Sequence, residues 1–151
     1  MLVPVLVAFG AFATAELAPA TAELTPAELY SRDGFVAPVR VLSRSETAEL
    51  ALFADAVEAA HGGRLPSAQT QNLHVERNDS LGEQMWRWLT HPEILRRASE
   101  VTSTPRAELR IMAATLFVKY PGDAATGSVG WHQDLLYWDL EPAEAFATWL
   151  A

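Results

Sequence analysis

Between Thr25 and Val101 the apolar positions fall mainly at helical spacing, and beyond Glu108 they gather into short extended runs. Thr25-Pro26-Ala27-Glu28 offers a capping hydroxyl, a proline at the first helical position and a first-turn glutamate, which together predict a helix start. Asp33-Gly34 ends that helix early, and Phe35-Val36-Ala37-Pro38-Val39 reads as a strand. Ser45 reads as the cap of a longer helix. Leu50, Phe53, Ala54 and Val57 share one face of it, and Gly62-Gly63 closes it. After a loop over residues 64–70, Asn72-Leu73-His74-Val75 reads as a short strand. Leu81 to Leu89 and Pro92 to Val101 predict two further helices, the second started by Pro92 after His91. Residues 108–119, ELRIMAATLFVK, read as a largely buried strand. Pro121-Gly122-Asp123 then turns the chain into a glycine-containing loop, and residues 131–138 and 145–150 read as short strands around a turn at Glu141-Pro142. The pattern is that of an α+β chain, with a helical N-terminal half leading into the opening strands of a sheet.

Residues 1–24 stand apart as an alanine-rich leader without lysine or arginine. Their apolar stretch, Leu2 to Ala13, is shorter than the roughly 20 residues that a membrane-spanning helix needs. A secretory signal would carry a cationic start and an unbroken apolar run. This segment has no such start, and Pro4 interrupts it, so it reads as a flexible or mis-started leader. The tetrapeptide Thr-Ala-Glu-Leu begins at Thr14, Thr21 and Thr47, an irregular spacing that marks no solenoid. Residues 25–151 are therefore taken as the folded domain.

Of the 151 residues half are hydrophobic and 20% are charged, an ordinary globular composition that excludes wholesale disorder. The net charge of -8 argues against nucleic acid or an anionic membrane as partner, because both need clustered cations. Arg96-Arg97 is too short a basic run to change that. The chain has no cysteine, which removes disulfides, thiolate zinc sites and cysteine nucleophiles and fits a reducing cytoplasm. Glu46, Glu49 and Glu58 read as the solvated face of a helix. Trp86 and Trp88 diverge on a helix, so one of them is expected in the core.

Chemistry concentrates in LFVKYPGDAATGSVGWHQDLLYWDLEP, Leu116 to Pro142. In an extended segment residues two apart face one way, so His132 and Asp134 are expected to converge. An imidazole and a carboxylate on one face suit a first-row divalent metal, and two histidines with one carboxylate and open positions mark non-haem Fe(II) oxygenases. Trp131, Tyr137 and Trp138 supply the walls of a largely apolar pocket beside such a centre. Among the other histidines, His61 stands at a helix end where an imidazole suits the dipole, and His91 stands at a helix boundary. His74 fits either a pocket or a structural hydrogen bond. None is assigned as a third ligand.

The longer string resembles the phytanoyl-CoA dioxygenase family of Fe(II)- and 2-oxoglutarate-dependent oxygenases. The resemblance rests on an apolar strand ending in Lys-x-Pro, a glycine-containing loop, Trp131-His132-Gln133-Asp134 and the pair Tyr137-Trp138. Upstream, Tyr30-Ser31-Arg32-Asp33-Gly34-Phe35-Val36, Asn72-Leu73-His74 and His91-Pro92-Glu93-Ile94-Leu95 look like the N-terminal half of that family, so it covers about Thr25 to the last residue. The resemblance implies a double-stranded β-helix, or jelly roll, and oxidative decarboxylation of 2-oxoglutarate to succinate, with O2 as co-reactant, coupled to hydroxylation of an unactivated C–H bond in a small organic substrate. It implies His132 and Asp134 as iron ligands. The related halogenases replace the carboxylate by a small residue, so Asp134 favours hydroxylation. Lys119 matches a lysine that contacts 2-oxoglutarate in the ectoine hydroxylase branch, where a cation facing the pocket pairs with a carboxylate. The family places a second histidine and then an arginine further downstream, and none of the residues after His132 is either. The chain is therefore expected to be the N-terminal portion of such an enzyme. The alternative is a catalytically silent truncated product, or a binding or structural module that keeps part of the fold.

Overall fold

A computed structural model of the chain describes the backbone of residues 5–9, and residues 23–65, 80–118, 120, 132–134, 138, 140 and 145–150. Helix α1, Pro26–Asp33, begins as its sequence predicts. Thr25 Oγ1 accepts from the Glu28 amide at 3.3 Å, and the Glu28 carboxylate accepts from the Thr25 amide at 2.7 Å. Two amides that helical geometry leaves without partners are thereby satisfied reciprocally. Gly34 ends the helix at φ 78°, its N–H donating to Tyr30 O at 2.8 Å.

Helix α2, Arg44–Ala60, is capped by Ser43 and not, as expected, by Ser45. Glu46 stands three residues after Ser43 and completes the same reciprocal pair, at 2.7 and 3.3 Å. Ser45 Oγ lies 3.1 Å from Ser43 Oγ instead. Leu50, Phe53, Ala54 and Val57 are buried as their spacing predicts, and Gly62 and Gly63 carry the chain off the helix at φ 75° and 84°. Helix α3, Ser80–Leu89, buries Met85, Trp88 and Leu89, and helix α4, Pro92–Thr102, buries Ile94, Ala98 and Val101. Trp88 is the core member of its tryptophan pair, and Trp86 stays half-buried.

Helix α1 packs on α4, and α2 on α3. Between them lies a core in which Phe53, Val57, Met85, Leu89, Ile94 and Leu116 are essentially inaccessible. Each large aliphatic or aromatic side chain buried there contributes about 1.5–3 kcal/mol relative to exposure.

Three strands are described: β1 (Val5–Phe9), β2 (Ala114–Leu116) and β3 (Phe146–Trp149). They form an antiparallel sheet in the order β2-β1-β3, with Leu6 opposite Thr115 on one side and Trp149 on the other. Val5–Phe9 fall inside the segment set apart as a leader. Of the strand expected over residues 108–119, Ala114–Leu116 forms: Glu108 ends a 3-10 turn that begins at Arg106, and residues 109–113 and 117–118 are irregular. Strand β3 lies within the 145–150 expectation. Phe35–Val39 form no strand: the segment is irregular and mostly exposed, and Pro38 has no amide to give to a ladder. The strand expected at residues 72–75 lies outside the described residues. The described residues thus mix helix and strand, and the double-stranded β-helix is not contained in them.

Candidate functional site

Residues 132 and 133 have no regular structure, and Asp134 lies in a turn of 3-10 type, so the expected strand over 131–138 is replaced here by a bend. Residues 131 and 135–137 lie outside the described residues, and Trp138 is irregular and partly buried. The bend brings together the same two side chains as extension would. His132 Nε2 lies 3.1 Å from Asp134 Oδ1, and each side chain is about a third exposed, at 35% and 34%.

An imidazole nitrogen and a carboxylate oxygen at this separation can share a proton, the nitrogen donating. The same separation also serves a shared cation. First-row divalent ions bind both donors at about 2.1 Å, so neighbouring ligands at right angles stand about 3 Å apart. The partial exposure leaves a route for an ion and further ligands. His132 and Asp134 therefore fit as two members of a facial set. No group of three histidine, cysteine, aspartate or glutamate side chains gathers among the described residues.

The other described histidines are used structurally. His61 closes α2, its Nδ1 donating to Val57 O at 2.7 Å. His91 is the residue before Pro92 at the start of α4, as expected of a boundary position. Its ring stacks on Trp88 with centroids 6.3 Å apart, and its Nε2 lies 3.0 Å from Glu46 Oε1. His74, Lys119, Trp131 and Tyr137 lie outside the described residues.

The acidic residues of α2 are more than a solvated face. Glu46 caps the helix and holds His91, and hydrogen bonds from Ser43 first and then His91 lower its pKa to about 2. Glu49 pairs with Arg87 of α3 at 2.8 Å. Glu58 accepts from the hydroxyl of Tyr120, whose oxygen in turn accepts from the Leu65 amide at 2.9 Å. Arg64 covers the Tyr120 ring, 4.6 Å from its centroid. Sequence reasoning missed this group. Its only local signal is a tyrosine next to Lys119. Arg96 and Arg97 both pair with Glu93 and Glu100 on their own helix.

A separate cavity of about 570 Å³ opens between α4, β3 and the irregular segment after α1, lined by Tyr30, Phe35, Ile94, Val101, Phe146 and Trp149 among others. His132 and Asp134 are not among its walls. No helix among the described residues is long and apolar enough to cross a membrane.

Compared with known proteins, the chain matches the family model described as phytanoyl-CoA dioxygenase over residues 30–151, a span that contains His132, Asp134, Lys119 and Tyr120. No curated protein and no solved structure matches it.

Proposed function

Because the chain belongs to the phytanoyl-CoA dioxygenase family, an oxygenase family, we propose that it serves an Fe(II)- and 2-oxoglutarate-dependent dioxygenase reaction that hydroxylates an unactivated C–H bond of a small organic substrate. The observation that carries this reading is the convergence of His132 Nε2 and Asp134 Oδ1 inside the matched span. The jelly roll of the family is the fold that goes with it.

His132 would bind through Nε2 in its neutral form and Asp134 as the carboxylate, so the two would act as metal ligands only when deprotonated. The pair supplies one nitrogen and one charged oxygen, a donor set that suits Fe(II) and leaves positions open for other ligands. When bound, Fe(II) supplies the activation of O2 that couples decarboxylation of 2-oxoglutarate to hydroxylation. Lys119 is assigned to hold a carboxylate of 2-oxoglutarate through its ammonium. Trp131, Tyr137 and Trp138 are assigned to the apolar walls that orient the substrate and exclude water. A cytoplasmic setting accompanies the reading, since a cysteine-free chain fits a reducing compartment that also keeps iron ferrous.

Anaerobic calorimetry of the chain with Fe(II), or with Mn(II) as its redox-stable stand-in, tests this. Stoichiometric binding that is lost in both His132→Ala and Asp134→Ala is the expected result. A chain that takes up no divalent ion, or variants that bind as the wild type does, would overturn the assignment. Succinate formation from 2-oxoglutarate then separates an active chain from one that binds metal and is catalytically silent.

A further inference from the structure

We propose that the cavity between α4, β3 and the irregular segment after α1 binds an uncharged molecule built on a planar ring system. Its volume of about 570 Å³ is that of a small-molecule pocket. Four aromatic rings line it: Tyr30 from α1, Phe35 from the segment that follows, and Phe146 and Trp149 from β3. Tyr30 meets Phe146 edge-on, with centroids 5.4 Å and planes 79° apart. The Trp149 ring is stacked on Phe117 at 5.7 Å and 18°. Even so, Phe35 and Trp149 remain 63% and 59% exposed, and they stand on two walls of the same cavity. A lone exposed apolar side chain is ordinary, but two large rings around one opening form a patch of the kind that marks a binding site.

The walls also define the ligand. Arg97 is the one charged side chain among the described lining residues, and it is already matched. Its Nε lies 3.1 Å from Glu93 Oε1 and its Nη1 3.2 Å from Glu100 Oε2. A ligand carboxylate or phosphate would have to compete with both of these carboxylates, so the cavity discriminates against anions. Aromatic walls favour a ligand ring that meets them edge-on or offset. Because three of the four rings already rest on aromatic neighbours, binding surrenders little side-chain freedom. The site is independent of metal loading, since His132 and Asp134 are not among its walls.

Calorimetric titration of the metal-free chain with 2-naphthol, its saturated counterpart decahydro-2-naphthol and the anion 2-naphthoate tests this. One-to-one binding of 2-naphthol is expected, about fivefold tighter than that of the saturated alcohol, the size of one ring–ring contact. The anion should bind more weakly than 2-naphthol. Phe35→Ala is expected to weaken 2-naphthol about tenfold and leave the unfolding midpoint unchanged, because the ring is exposed in the free chain. Phe35→Tyr should restore binding. If Phe35→Ala does not fold, Val36→Trp, which adds bulk at the same wall, is expected to abolish binding. Preference for the saturated alcohol would reveal an undiscriminating apolar surface, and preference for 2-naphthoate would show that Arg97 recruits anions; either overturns the proposal. Unchanged 2-naphthol affinity in Phe35→Ala or in Val36→Trp would place the probe elsewhere and overturn it as well. So would a chain that binds none of the probes, including one that sediments as a dimer dissociated by Phe35→Ala, where a second copy is the occupant.

Discussion

The Glu46 carboxylate serves two helices at once. One oxygen accepts from the Ser43 amide that opens α2, and the other faces His91 Nε2 at the start of α4. These bonds favour the ionised form and hold its pKa at about 2, against an ordinary value of 4.5. A pKa lower in the folded than in the unfolded chain means that the stabilisation is complete above about pH 4.5 and disappears as pH falls toward 2. Glu93, lowered to about 2 chiefly by its hydrogen bond from Arg96, acts over the same window. Glu46→Gln is accordingly expected to flatten the acid limb of a denaturant-derived stability profile between pH 4.5 and 2, with Glu93 and the likewise lowered Glu28 and Asp33 sustaining the remainder. An acid limb identical to that of the wild type would show that this carboxylate is not what acid removes.

Helix ends can be tested in the same way. Ser43→Ala removes the α2 cap and is expected to cost about 1 kcal/mol in thermal or chemical unfolding, whereas Ser45→Ala should be near neutral. Gly34 ends α1 at φ 78°, and a Cβ built there meets nothing within 4 Å. Gly34→Ala should therefore cost about 1–2 kcal/mol through backbone conformation alone. These positions also show what was readable from the chain. Thr25 and Glu28 stand three apart and mark the start of α1 without further information. Ser43 and Glu46 carry the same spacing, so the signal that corrects the Ser45 expectation was present in the sequence. The strands were harder. Phe35–Val39 has strand composition, but pairing depends on a partner that no local pattern identifies, and Pro38 withholds one amide. Val5–Phe9 sits in an alanine-rich segment and pairs with residues more than a hundred positions away, an arrangement that periodicity cannot specify.

Across the whole molecule, α2, α3, α4 and β2 share one core, so damage at its centre should be felt throughout. Phe53 is 2% exposed, and Phe53→Ala is expected to cost about 3–5 kcal/mol, a large part of the roughly 5–15 kcal/mol that holds a domain folded. The expected readout is a marked drop in the denaturant midpoint. The candidate site was legible to different degrees for a related reason. His132 and Asp134 are two residues apart, and either an extended segment or the observed bend lets them meet, so spacing sufficed. The Tyr120–Glu58 tie joins residues 62 apart, and nothing short of the fold brings them together. The link from Glu46 to His91 is of that long-range kind as well, and it bears on how the sequence can drift. Positions 43, 46 and 91 form one heritable unit: a descendant that replaces Glu46 gives up both the partner of Ser43 and the partner of His91, so substitutions at these three positions are expected to arrive together rather than singly.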